Sequence, residues 1–342
     1  MKTIKDIAEL SGYSVGTVSR VINNHPDVSP ATRAKIEEII AEHNFQPNSN
    51  ARLLKGNAGS AIAILVKGHT NVFFETILEK MQNDFKNSGE DISVMFLDEQ
   101  SNEVETAVQV CAERKPKGIV FLGGNLKYFR ERFSEIAIPC VLVTVDASDL
   151  PFENLSSFTI NDIRGAEDAV GYLIRNGHRK IGIVGGSLNT DDGQVSSLRL
   201  SGALKKLEEN GIEFSDEDYE PSRFSMAEGY AAAEKLLKKK RDLTGIFALS
   251  DTLAIGVIRA AADLGLKVPD DLSVIGYDGI LYSRYSSPRI ATIEQDADAL
   301  AGKSVQDLLL RISYSRPAVH EQVSYHVITG ESIRDLTKQS VE

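Results

Sequence analysis

A series of apolar runs in this 342-residue chain each give way, at the carboxyl end, to polar or aromatic residues. These are Lys67 to Phe74, Asp98, Asn125, Asp146, Asn189 to Asp192, Asp251 and Asp278. Carboxylates accept paired hydroxyl hydrogen bonds, and aromatic faces cover the apolar side of a sugar ring, so the set suits a polyhydroxylated ligand. Any single Asp there serves equally well to cap the helix that follows; only as a group do they point to a cleft. Turnover finds no support. The serine-rich SSLRLS (196–201) has no G-x-S-x-G setting, and His25, His43, His69, His178, His320 and His326 lack metal-ligand spacing. GIVGGS (182–187) departs from the dinucleotide fingerprint. Carboxylates without a nucleophile, metal or cofactor loop read as binding. No enzymatic activity, cofactor or metal is expected.

The elements that would position these residues follow from periodicity. AIAILV (61–66), ISVMFL (92–97), GIVFL (118–122), CVLVTV (140–145), KIGIVG (180–185), GIFAL (245–249) and LSVIGY (272–277) alternate with amphipathic helical stretches. That rhythm predicts parallel sheets covered on both faces, with ligands beyond the carboxyl ends of the strands. About 280 residues exceed one modest doubly wound sheet, so two lobes are expected. Their connections fall near 155–162, 288–293 and 320–325.

The first 60 residues have another texture. Thr3 and Asp6 can cap a helix whose apolar face is Ile4, Ile7 and Ala8. Gly12 is free to take positive φ, and Ser14 caps a second helix with Val18, Val21 and Ile22 inward. Ser29-Pro30 opens a third helix that runs through Ile36, Ile39 and Ile40 to about His43. Residues 48–56 are helical in pattern but only about eight long, too short to hold a helix alone in water; they should order only against a partner. Asn57-Ala-Gly-Ser60 is a joint.

Charge narrows the partners. Residues 1–60 hold 7 Lys/Arg against 6 Asp/Glu, the remainder 31 against 43. A near-neutral head on an acidic body excludes broad polyanion binding, so any nucleic-acid contact must be local and well aimed. No apolar run approaches a membrane span, and the opening MKTIKDIAEL lacks the layout of a secretory signal. Cys111 and Cys140, the two cysteines, show no metal-finger spacing. A cytoplasmic protein is expected.

With these residues assembled, the chain resembles the lactose-repressor (LacI/GalR-type) family of bacterial transcription regulators over nearly its whole length. Ile4-Lys5-Asp6-Ile7-Ala8, Gly12 and Thr17-Val18-Ser19-Arg20-Val21-Ile22-Asn23 stand at helix-turn-helix spacing. Val28-Ser29-Pro30-Ala31-Thr32-Arg33 and Asn44-Phe45-Gln46-Pro47-Asn48 follow. Further landmarks are Asn161-Asp162, Gly177-His178-Arg179-Lys180-Ile181, Arg199-Leu200-Ser201-Gly202, Ser250-Asp251 and Gly276-Tyr277-Asp278.

The resemblance implies an α/β protein in three parts. These are a three-helix helix-turn-helix domain (1–46), a hinge helix and linker (47–60), and a two-lobed, doubly wound, periplasmic-binding-protein-like body (61–342). Its N-lobe would be about 61–160 and 291–322, its C-lobe about 161–290 and 323–342. It further implies a homodimeric, effector-responsive repressor of a carbohydrate-utilisation operon, on a palindromic operator.

Val15 and Gly16 match the family's base-reading pair, Val15 offering methyls to thymine, and Arg20 the third reader, on guanine or on phosphate. Ser14, Thr17, Ser19 and Asn23 suit phosphate. In the hinge, counted from Asn48, Ala51 and Leu54 share a face; Leu54 matches a minor-groove wedge, and Arg52 and Lys55 reach phosphate. In the body, Phe73 and Phe74 match an aromatic pair at the cleft mouth, and Asn125 joins them from its strand end. Asp146, Arg199, Phe224, Asp251 and Asp278 match effector positions, with Arg199 and Asp251 clamping a ring from opposite sides. Ser250 and Gly279 depart from the family pattern, where Asn and a second Asp are frequent, and leave the effector open. A sugar receptor without DNA function, a nucleobase-responsive regulator and a co-repressor-dependent global regulator are the competing readings.

Overall fold

Every apolar run named above enters a strand. They form β1 (Ile62–Lys67), β2 (Ile92–Leu97), β3 (Ile119–Leu122), β4 (Cys140–Val143), β6 (Ile181–Val184), β8 (Gly245–Ala248) and β9 (Ser273–Asp278). The other described strands are β5 (Leu155–Thr159), β7 (Tyr219–Glu220), β10 (Ala291–Gln295), β11 (His320–Gln322) and β12 (Tyr325–Ile328). The computed structural model describes residues 8, 10–22, 28–42, 61–68, 71–186 and 194–339. It divides into units Met1–Ala58 and Gly59–Glu342.

In the first unit, Gly12 turns the chain at φ +72°, and the Tyr13 amide donates to the Ala8 carbonyl at 3.2 Å. Ser14 Oγ accepts the Thr17 amide at 3.1 Å and so caps helix Val15–Ile22; Ser29 Oγ does the same for Thr32 at 3.2 Å, opening helix Pro30–Glu42. Val18 and Ile36 are fully buried, and Ala8 and Val21 complete the small core.

The second unit is two six-stranded sheets. One has the order β11-β5-β4-β3-β1-β2, the other β12-β10-β9-β8-β6-β7. All described pairings between these strands are parallel except β10 with β12. Helices cover the faces, so central strands such as β3 and β8 are buried along their whole length.

The chain crosses between sheets between β5 and helix Asp162–Arg175, between β10 and helix Ala297–Tyr314, and between β11 and β12. The expected crossing near 288–293 is corrected: residues 291–295 are still in the second sheet. There β10 pairs in parallel with β9, Ala291 against Ile275 and Ile293 against Tyr277. The chain changes lobe only afterwards, when helix Ala297–Tyr314 packs on helix Val72–Asn87 and strands β4 and β5. Polar β5 is buried because its hydroxyls are engaged. Ser156 Oγ accepts from Arg311 Nη1 and the Val319 amide, each at 3.0 Å, and Ser157 Oγ accepts the Ala147 amide at 3.0 Å.

Candidate functional site

In each sheet the strand order reverses once, around β1 in the first and around β6 in the second. The carboxyl ends at both reversals open onto one cleft of about 770 Å³, within the usual size of a small-ligand site.

The first-lobe wall starts at Asn71. Its Oδ1 accepts the Phe73 and Phe74 amides at 3.1 and 3.3 Å, capping helix Val72–Asn87 and fixing both rings in its first turn. Phe74 lies against Gly123, at φ +79°, where a Cβ would come within 2.7 Å of the ring; only glycine fits. Asn125 caps helix Leu126–Arg132 through the Lys127 amide and donates its own amide to Glu103 Oε1 at 2.5 Å. Glu103 is 1% exposed and also accepts from Lys67 Nζ at 2.5 Å, while that ammonium lies 5.0 Å from the Tyr128 ring centre. Thr144 follows β4 at φ +73°, a strained conformation for a β-branched residue. Its Oγ1 is buried on the cleft wall and has no hydrogen-bond partner among the described residues.

The second-lobe wall centres on Arg199, on helix Val195–Glu209. Nε donates to Asp162 Oδ1 at 2.8 Å, Nη1 to the Leu249 carbonyl at 2.6 Å, and Nη2 lies 3.1 Å from Asp278 Oδ1. The guanidinium sits 3.7 Å from the Tyr277 ring centre. Burial would release its proton more readily, but Asp278 and Asp162 outweigh that and hold the charge. Asp278, at φ +102°, also accepts from Gln295 Nε2 at 2.8 Å. Burial pushes its carboxyl up to about 6, against the pull of Arg199. Phe224 adds a ring face, and Arg223 bridges the rim, its Nε donating to Glu99 Oε2 of the other lobe at 3.1 Å.

The structure thus gathers Phe73, Phe74, Asn125, Arg199, Phe224 and Asp278 on the cleft walls. It does not bring Asp251 or Asp146 there, which corrects two expectations. Asp251 is fully buried beneath β9, where Gly276 leaves room for it, and its Oδ2 accepts the Ile280 amide at 2.8 Å. Burial pushes its carboxyl well above the usual carboxylate range, and its place in the core keeps it from being half of a clamp with Arg199. Asp146 turns the chain after β4, Oδ1 accepting the Ser148 amide at 2.9 Å. Ser250 caps helix Asp251–Asp263 through the Leu253 amide at 3.2 Å. A side chain at Gly279 would meet Glu294 at 2.6 Å, so a second Asp cannot stand there.

In the first unit, Ser14, Val15, Gly16, Thr17, Ser19 and Arg20 lie at the cap or along helix Val15–Ile22, with Arg20 exposed in its last turn. The side chains of Val15, Gly16 and Ser19 lie outside what is described, as do Asn23, Asn48, Ala51, Arg52, Leu54, Lys55 and the hinge segment 47–60.

Residues 3–48 match the model for bacterial regulatory proteins of the lacI family, and residues 170–333 that for a periplasmic binding protein-like domain. The HTH-type transcriptional regulator MalR of Clostridium butyricum is 41% identical over 96% of this chain and 98% of its own. The transcriptional regulator CelR in complex with cellobiose superposes with a TM-score of 0.70 at 25% identity, covering 97% of this chain and 100% of that one. The lac repressor dimer bound to operator gives 0.69 at 26%, covering 97% and 99%. A helix-turn-helix followed by a bilobal cleft is therefore shared end to end, and the chain belongs to the lacI family of bacterial regulatory proteins, transcription regulators and not enzymes.

Proposed function

We propose that this chain is a cytoplasmic, homodimeric repressor of a carbohydrate-utilisation operon, with a small polyhydroxylated effector in the interlobe cleft. The observation that carries the effector class is the pairing of the ring faces of Phe73, Phe74 and Phe224 with the Arg199–Asp278 couple across one cleft. Rings cover the apolar face of a sugar while carboxylate and guanidinium take its hydroxyls. The CelR neighbour holds cellobiose.

Two copies of helix Val15–Ile22 would lie in successive major grooves, Arg20 reaching a guanine or its phosphate. Residues 47–60 would fold as paired hinges in the minor groove, with Leu54 as wedge. The effector alters the rotation of one lobe on the other and so the fit of the paired hinges to DNA. A mobility-shift assay on the region upstream of its own operon tests this. A retarded band that an effector weakens or strengthens is expected, and Arg20→Ala should weaken it while effector binding stays normal. No band with or without sugars would sink the proposal.

A further inference from the structure

Among the described residues three cations line the cleft: Lys67, Arg199 and Arg223. In the described structure each is already neutralised. Lys67 is held by Glu103, Arg199 lies between Asp162 and Asp278, and Arg223 reaches Glu99 at 3.1 Å and Asp98 at 3.4 Å. Glu228 also lines the wall, so the three cations stand among six described carboxylates, Glu99, Glu228 and Asp278 on the wall and Glu103, Asp162 and Asp98 beside or behind it. Helix ends add little to change this. Asn71 and Asn125 close theirs with side-chain acceptors, and among the described residues helix Val195–Glu209, behind Gln194, presents an amino end to the cleft without one. Such an end carries roughly half a positive charge, short of the carboxylate surplus. A site for phosphate ordinarily offers unpaired Arg or Lys.

We propose that the cleft selects an uncharged polyhydroxy ligand and rejects its phosphorylated form, and that the buried Glu103–Lys67 pair is a determinant of that choice. The inference rests on reading the cleft as the effector site. Arg199 is cancelled by buried carboxylates too, but each of its guanidinium nitrogens is engaged, by Asp162, the Leu249 carbonyl and Asp278; Lys67 is the determinant because it keeps a donor to offer. It is 12% exposed and faces the cleft, yet its charge is cancelled from behind by a carboxylate that solvent does not reach. An ammonium has three donors. Glu103 is its one hydrogen-bond acceptor among the described residues, so a donor is left for a ligand hydroxyl without a net charge to attract an anion. Glu103 is a positioning residue: it fixes where that donor points and cancels its field.

The experiment is calorimetric titration of the full-length protein with glucose, ribose, maltose and cellobiose, each beside its phosphate monoester. At least one parent sugar should bind, and its phosphate should bind more than about tenfold more weakly, the scale of a like-charge contact in a partly dried site. Glu103→Gln, which keeps an acceptor for the Asn125 amide, should shift the parent-to-phosphate ratio toward the phosphate. Lys67→Gln should shift it away. A merely structural role would weaken both ligands alike and leave the ratio unmoved. A phosphate ester that matches its parent overturns the inference and leaves the cleft reading standing. Ratios unmoved in both variants remove the Glu103–Lys67 pair from it. If the protein melts cooperatively yet binds no compound of either series, the sugar reading of the cleft fails, and this inference with it.

Discussion

At the scale of single residues, two cleft groups have behaviour that can be separated from folding. In the proposed effector site Asp278 would accept from a ligand as a carboxylate, and its carboxyl is pushed up to about 6 by burial. The charged form therefore dominates above that value, and effector affinity should be full at pH 7.5 and fall as pH drops through 6. Titration calorimetry at several pH values should show the decline, and Asp278→Asn should bind weakly with a flat profile. Thr144 presents the converse case. Its buried Oγ1 lacks a partner among the described residues, so an unmet hydroxyl there costs stability that a ligand would restore. Thr144→Val, similar in shape and also β-branched, should leave the melting temperature unchanged or higher while weakening effector binding by about 1 kcal/mol. A variant that melts lower and binds normally would show that the hydroxyl serves the fold.

These residues also show what a sequence conveys and what it withholds. Phe74 and Asp278 could be picked out because a polar or aromatic side chain ends an apolar run, whereas Arg199 was reached through the family resemblance. Thr144 could not, since Val-Thr-Val at the end of an apolar run looks like more strand. Only the backbone, at φ +73°, turns its hydroxyl out of the ladder. Asp251 and Asp146 misled for the opposite reason. An Asp after a strand looks the same whether it faces a ligand, caps a turn or sinks beneath the sheet, and a glycine 25 residues on, Gly276, decides the matter for Asp251.

At the scale of elements, helix starts hold the binding wall. Asn71 both begins helix Val72–Asn87 and orients Phe73 and Phe74. Asn71→Ala should cost about 1 kcal/mol of stability, the usual worth of such a cap, and should weaken sugar binding as well, read together by denaturant melts and titration. Gly123→Ala attacks the same wall from behind, because its methyl would press on the Phe74 ring at a backbone angle that disfavours any Cβ. A lower melting temperature with a larger loss of affinity is expected. The strands with apolar runs were legible from those runs alone. Strand β5 was not, since Leu-Ser-Ser-Phe-Thr carries its burial through hydroxyl bonds to Arg311, Val319 and Ala147, partners far off in sequence or before the preceding turn. Strand β10, Ala-Thr-Ile-Glu-Gln, resembled a connection because its polar end serves the cleft through Gln295.

At the scale of the whole molecule, DNA and effector must change each other's affinity by the same factor, since binding at two sites of one equilibrium is reciprocal. Measuring operator affinity with and without effector, and effector affinity with and without operator, checks this; a factor of one in both would mean that the two sites are not coupled. Arg223 supplies a handle on the lobes themselves. It ties the rim of one to Glu99 and Asp98 of the other, so Arg223→Ala should speed effector entry and exit together in stopped-flow traces.

Strands β11 and β12 stand two residues apart in the chain, yet each is the outermost member of a different sheet. The final stretch of polypeptide is thus a single suture through both halves. A frameshift upstream of His320 would bare β5 in one lobe and β10 in the other at the same moment, exposing two unpaired strand borders of the kind that recruit other chains. Such a product should accumulate as aggregate, and not as a half-working regulator with one intact lobe.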